Sequence, residues 1–80
     1  MLKEISYYVP IITNEQGKTL LSKSLMKVQG IECIQIDQQH HKCFINYDST
    51  QCAEEIIDLA LSDAGFDHYF ITRKAMVDSL

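Results

Sequence analysis

Six side chains in this sequence could ligate a soft or borderline metal ion: Cys33, Cys43 and Cys52, with His40, His41 and His68. Thiolates and imidazoles suit copper and zinc, and firm binding needs several of them to converge on one point. His40 and Cys43 have ligand-like spacing, but strand register opposes a shared site. If a hairpin turns over Gln38 to His41, Ile36 lies opposite Cys43 and Ile34 opposite Ile45. Cys43 then joins the core and Cys33 faces the other side. A buried Cys43 behaves as a small apolar side chain. Cys52, at the start of a second helix, is expected to fill a cap or packing position. His40 and His41 read as solvated turn residues that could collect adventitious zinc, copper or nickel. His68 is the best single candidate for a weak ligand, and one ligand does not make a site.

A second stretch with chemical potential is Ile12 to Thr19, ITNEQGKT. Its Gly17-Lys18-Thr19 ending matches the tail of a phosphate-binding loop, but that loop also needs a glycine five positions before Gly17, and Ile12 stands there. The nest of backbone N–H groups around a phosphate therefore cannot form. No Ser/His/Asp, Cys/His or paired-carboxylate arrangement places a second group to activate the first, so no enzymatic activity is expected.

Composition narrows the classes further. Eighty residues, 46% of them hydrophobic and without low-complexity tracts, suit one small domain of two layers. A net charge of -4 disfavours binding to nucleic-acid backbones, which calls for a basic stripe. No run of about 18 apolar residues encodes a membrane span. Three cysteines without an apolar leader point to free thiols in a cytoplasmic setting.

These side chains must be positioned by six elements. Ile5, Tyr7 and Val9 alternate with Ser6, Tyr8 and Pro10, as in a half-buried strand ending near the proline. Leu21, Leu25 and Val28 recur at helical spacing between Gly17 and Gln29, with Thr13 and Gln16 as a potential capping box and Gly30 as the stop. The hairpin follows. A second helix is expected to turn Ile56, Ile57, Ala60, Leu61 and Ala64 inward, with Glu54 and Glu55 at the positive end of its dipole and Gly65 closing it. His68 to Thr72 reads as the last strand. The order βαββαβ calls for a ferredoxin-like α+β sandwich: a four-stranded antiparallel sheet in order 4-1-3-2 with both helices on one face. The domain is expected to span residues 1–72, with 73–80 as a C-terminal tail. One core should gather Ile5, Tyr7, Val9, Leu21, Leu25, Val28, Ile34, Ile36, Ile45, Ile57 and Leu61.

The sequence resembles the heavy-metal-associated domain of copper chaperones and metal-pumping P-type ATPases. The likeness runs through Gln29-Gly30-Ile31, Cys33 to Asp37, Phe44-Ile45-Asn46-Tyr47-Asp48, and Glu54-Glu55-Ile56-Ile57 leading to Asp63-Ala64-Gly65-Phe66. Members of that family carry Met-Thr-Cys-x-x-Cys between the first strand and helix. The alignment puts Ile12 to Gly17 there, with Asn14 and Gly17 in place of the two cysteines. A helix N-terminus favours a thiolate, whereas Asn14 offers a neutral amide and Gly17 no side chain. Asn14 or Thr13 is better read as a helix cap. Gly17 in the first turn costs up to about 1 kcal/mol against alanine; the sequence gives no firm reason for it, and close approach of a partner backbone would be one.

The resemblance implies a protein-interaction or regulatory module in heavy-metal, copper-type trafficking; the alternative is a metallochaperone with a non-standard Cys/His site. No cofactor is expected, with weak copper or zinc binding at most. Tyr8, Cys33, Gln35, Phe44 and Asn46 should line the sheet face away from the helices. Tyr8 and Phe44 serve there either as cross-strand neighbours or as anchors for a partner. Family members dock through the metal loop and the adjoining helix, so Lys18 and Lys23, followed by Lys27, would suit an acidic partner, and Phe66 should lie beside the loop. The implied partner is a metal-transporting ATPase domain or another ferredoxin-like domain. A monomer or weak dimer is expected.

Overall fold

A computed structural model describes residues 1–75 of the chain. The elements are β1 (Leu2–Tyr8), α1 (Glu15–Met26), β2 (Ile31–Asp37), β3 (Lys42–Asp48), α2 (Glu54–Asp63) and β4 (Tyr69–Ala75). The strands form one antiparallel sheet in the order β2-β3-β1-β4, which is the expected 4-1-3-2 order read from the other edge. Leu21 and Leu25 of α1 and Ile57 and Leu61 of α2 share one core with Ile5, Tyr7, Cys43 and Ile45 of the sheet. Both helices therefore cover the same face.

The hairpin register is as the alternation requires: Ile34 lies opposite Ile45 and Ile36 opposite Cys43. The expected core residues are all in or against the cluster, with Val28, Ile34 and Ile36 at its half-buried margin. Ile12, Ile31, Tyr47, Cys52 and Phe66 complete it.

Several expectations need correction. Helix α1 begins at Glu15 rather than Gly17, because Asn14 caps it and the Thr13 to Gln16 box is not used. It ends at Met26, with Lys27 as C-cap, and Gly30 follows with φ at 99°. On α2, Ile57 and Leu61 face inward, but Ile56 is 48% exposed and Ala64 is also exposed. A helix of 10 residues over one sheet buries a narrow stripe, which leaves the flanking positions outside.

The last strand spans Tyr69–Ala75, so the expected tail from residue 73 loses its first three residues to the sheet. Their pairing explains this: Arg73 lies opposite Ile5, Lys74 opposite Glu4 and Ala75 opposite Lys3. An ion pair from Lys74 to Glu4 at 3.4 Å accompanies the ladder. The rest of the expected tail lies outside the described residues. Register shifts leave one extra residue at Ile71, between the pairs Tyr7 with Phe70 and Ser6 with Thr72, and another at Glu32 in β2.

Candidate functional site

The stretch joining β1 to α1 is tied down along its length. Strand β1 ends at Tyr8, yet Val9 and Ile12 are fully buried, which anchors both ends of a short excursion whose outer residue, Ile11, is 57% exposed. Val9 donates its N–H to the carbonyl of His41 at 2.7 Å, and Ile12 donates to Val9 at 3.2 Å. The ring Nδ1 of His41 donates to the carbonyl of Ile12 at 2.7 Å, and Gln38 Nε2 donates to that of Thr13 at 3.3 Å. The β2–β3 turn thus clamps the loop. His41 holds this position with φ at 57°, a left-handed conformation stabilised by two hydrogen bonds that a solvated turn residue would not make.

At the helix end of the loop, Asn14 is extended, and its Oδ1 accepts the N–H of Gly17 at 2.8 Å. This satisfies one of the orphan donors of the first turn. A Cβ placed on Gly17 would find only ordinary contacts, 3.5 Å to the carbonyl of Ile11 and 3.6 Å to Asn14 Oδ1. Among the described residues, nothing therefore requires glycine at this position. The same distances show that side chains at positions 14 and 17 face each other.

The cysteines stand apart. Cys33 is exposed on the open sheet face, whereas Cys43 and Cys52 are buried. Burial pushes the Cys43 thiol up to about 12 and raises that of Cys52, the reverse of a metal-ready thiolate. Cys52 fills a packing position and caps nothing, since Ala53 is the N-cap of α2. The histidines are engaged separately. His40 Nδ1 meets the Asp37 carboxylate at 2.8 Å, and this hydrogen bond holds Asp37 below the usual carboxylate range. His68 donates Nδ1–H to the carbonyl of Phe66 at 2.9 Å, and its Nε2 faces the Asp58 carboxylate. His40, His41 and His68 are thus each bound to a different partner. Among the described residues, no three His, Cys, Asp or Glu side chains gather as a metal-holding group.

The proposed contact residues divide. Tyr8 is 39% exposed and Lys23 is exposed, and Lys18 lies 3.9 Å from Glu15 on the same helix. Phe44 is half-buried on the open face, opposite Ser6 rather than Tyr8, so the two aromatics are diagonal neighbours. Phe66 is only 8% exposed and belongs to the core, which removes it from the contact surface. Tyr8 instead meets Tyr69 at 6.3 Å and His41 at 6.0 Å between ring centroids. Tyr69, 59% exposed, is the member of this cluster that the sequence pattern does not mark. Aligning β4 with β1 would find it, but the extra residue at Ile71 offsets that alignment.

No family model matches the sequence, and no curated protein matches it significantly. Solved structures do match. Oxidized MerP from Ralstonia metallidurans CH34 superposes with a TM-score of 0.82 at 17% identity, covering 90% of this chain and all of its own. A copper-binding domain from HMA7, a P-type ATPase, gives 0.81 at 21% identity, covering 89% of this chain and 96% of its own. The N-terminal domain of a potential copper-translocating P-type ATPase from Bacillus subtilis, in its Cu(I)-loaded state, gives 0.82 at 11% identity over both full chains. The chain has the fold of these heavy-metal-associated domains.

Proposed function

We propose that this chain is a heavy-metal-associated domain that has exchanged metal transfer for protein contact, acting as an interaction or regulatory module in heavy-metal trafficking in the cytoplasm. The observation that carries this reading is the contact between Asn14 and Gly17: the two positions at which the family resemblance requires thiolates face each other, but hold a helix cap and a glycine. Soft-metal affinity depends on thiolates, so the donor set at the loop does not fit a soft ion. The partner would be a metal-transporting ATPase domain or another ferredoxin-like domain, reached through Lys18 and Lys23 on α1 and the exposed Tyr8.

Titration with copper(I) and with zinc under reducing conditions, followed by native mass spectrometry and thermal unfolding, tests this reading. The expected result is weak, sub-stoichiometric binding with the melting temperature nearly unchanged. A tightly held single ion that raises the melting temperature by many degrees would overturn it and favour a metallochaperone with a relocated site.

A further inference from the structure

On the helix face of the sheet, α2 and the edge strand β4 leave an open groove between them. Its volume is about 260 Å³, and Tyr7, Glu54, Glu55, Asp58, Phe70 and Arg73 line it. Three features of this groove point to a positively charged occupant.

Tyr7 is only 4% exposed, yet its hydroxyl makes no hydrogen bond among the described residues and borders the groove. Its ring is held edge-on by His68 at 5.2 Å and Phe70 at 6.4 Å, so the phenol is fixed in place. The hydroxyl is not sealed in the core but opens onto the groove, where it offers an acceptor to an incoming group. The second feature is charge. Three carboxylates line the groove against one guanidinium, a formal balance of -2. Glu55 is exposed and free to turn toward an incoming group, and Asp58, whose side chain is 60% exposed, keeps one carboxylate oxygen beyond the one that faces His68 Nε2. Burial raises the Tyr7 hydroxyl well above its usual range, and the negative charges of Asp58 and Glu54 add to this while Arg73 opposes it.

The third feature is a cation already in place. The Arg73 guanidinium lies 4.5 Å from the centroid of Phe70, and its Nε and Nη2 donate to the two oxygens of Glu54 at 2.6 and 3.1 Å. An aromatic face beside a bidentate carboxylate is the pairing by which a guanidinium is recognised. The groove thus displays, with its own arginine at one end, the chemistry that its empty remainder offers to another cation.

We propose that this groove binds an arginine or lysine side chain presented by a protein partner, with Tyr7 Oη and the Asp58 and Glu55 carboxylates as acceptors and the uncovered part of Phe70 against its stem. The volume lies below that of a pocket for a drug-sized ligand, which suits a single long side chain. The site is separate from the Ile12 to Gly17 loop and stands whether or not that loop binds metal.

The test is a 1H–15N NMR titration of the labelled full chain with acetyl-Gly-Arg-Gly-amide, with the citrulline tripeptide as neutral isostere and spermidine as free polyamine. The expected result is saturable shifts at Glu55, Asp58 and Phe70 with the arginine peptide, a weaker response to spermidine, and none with the citrulline peptide. Removing the hydroxyl alone, Tyr7→Phe, should weaken the arginine peptide by roughly three- to tenfold, the worth of one hydrogen bond. Glu55→Gln, at an exposed position that does not endanger folding, should weaken it too. Arg73→Met, which vacates Phe70 and Glu54, should tighten it. Equal shifts from the citrulline peptide, no saturable shifts at tens of millimolar, or Glu55→Gln leaving binding unchanged would overturn the proposal. Spermidine binding at least as tightly as the arginine peptide would overturn the assignment to a partner's side chain.

Discussion

Asn14 and Gly17 meet across the first turn of α1, the amide oxygen of one accepting the N–H of the other at 2.8 Å. Replacing the acceptor removes the cap without disturbing the core, because Asn14 is exposed. Asn14→Ala should therefore lower stability by about 1 kcal/mol in chemical denaturation, with the denaturant slope unchanged.

Gly17 gives the opposite sign. Its backbone is helical and a Cβ there meets nothing closer than 3.5 Å, so Gly17→Ala should stabilise the domain by about 0.5–1 kcal/mol. A loss of stability measured by the same unfolding curve would show that the loop moves inward on this position.

Gly30 and Gly65 both have positive φ, yet they should differ. A Cβ at Gly30 would lie 2.7 Å from that of Cys52, whereas one at Gly65 meets nothing within 4 Å. Gly65→Ala should cost about 1 kcal/mol of backbone strain, and Gly30→Ala clearly more, with a lower melting temperature than the Gly65 variant.

Thiol reactivity should separate the cysteines. Iodoacetamide at neutral pH is expected to modify exposed Cys33 first, and to reach Cys43 only through unfolding, because burial both shields that thiol and raises its pKa to about 12. Mass spectrometry of the digested protein gives the order of modification directly.

Acid should act in part through Asp48. Hydrogen bonds from the Thr50 hydroxyl and backbone N–H lower its carboxyl from 3.8 to about 2. A depressed folded-state value means that its stabilisation is complete above about pH 4 and is lost as the pH falls toward 2. Asp48→Asn should flatten the stability profile across that window. An unchanged slope between pH 4 and 2 would contradict the assignment.

The fold was legible because the alternation in β1 and the hairpin and the spacing of Leu21, Leu25, Ile57 and Leu61 agree with one topology. The hairpin register followed from the same alternation, which is why Cys33 and Cys43 could be placed on opposite faces. The end of β4 was not legible, since Arg73 and Lys74 look like a solvated tail until Glu54 and Glu4 are seen opposite them. The role of His41 is hidden for a related reason: its ring bonds the carbonyl of Ile12, 29 residues away. The groove under α2 was invisible, because Tyr7, Asp58 and Arg73 come from three elements whose contacts no local pattern records.

The central claim is that the loop keeps the shape of a two-thiolate site without its ligands, and the copper(I) affinity of Asn14→Cys with Gly17→Cys, measured against wild type and each single variant under reducing conditions, tests it most directly. The helix N-terminus would favour both thiolates, and the two positions already face each other. A large gain in affinity only when both thiols are present is the predicted result. A folded double variant that binds copper(I) no better than wild type would contradict the account, and would mean that the loop has been rebuilt for another purpose.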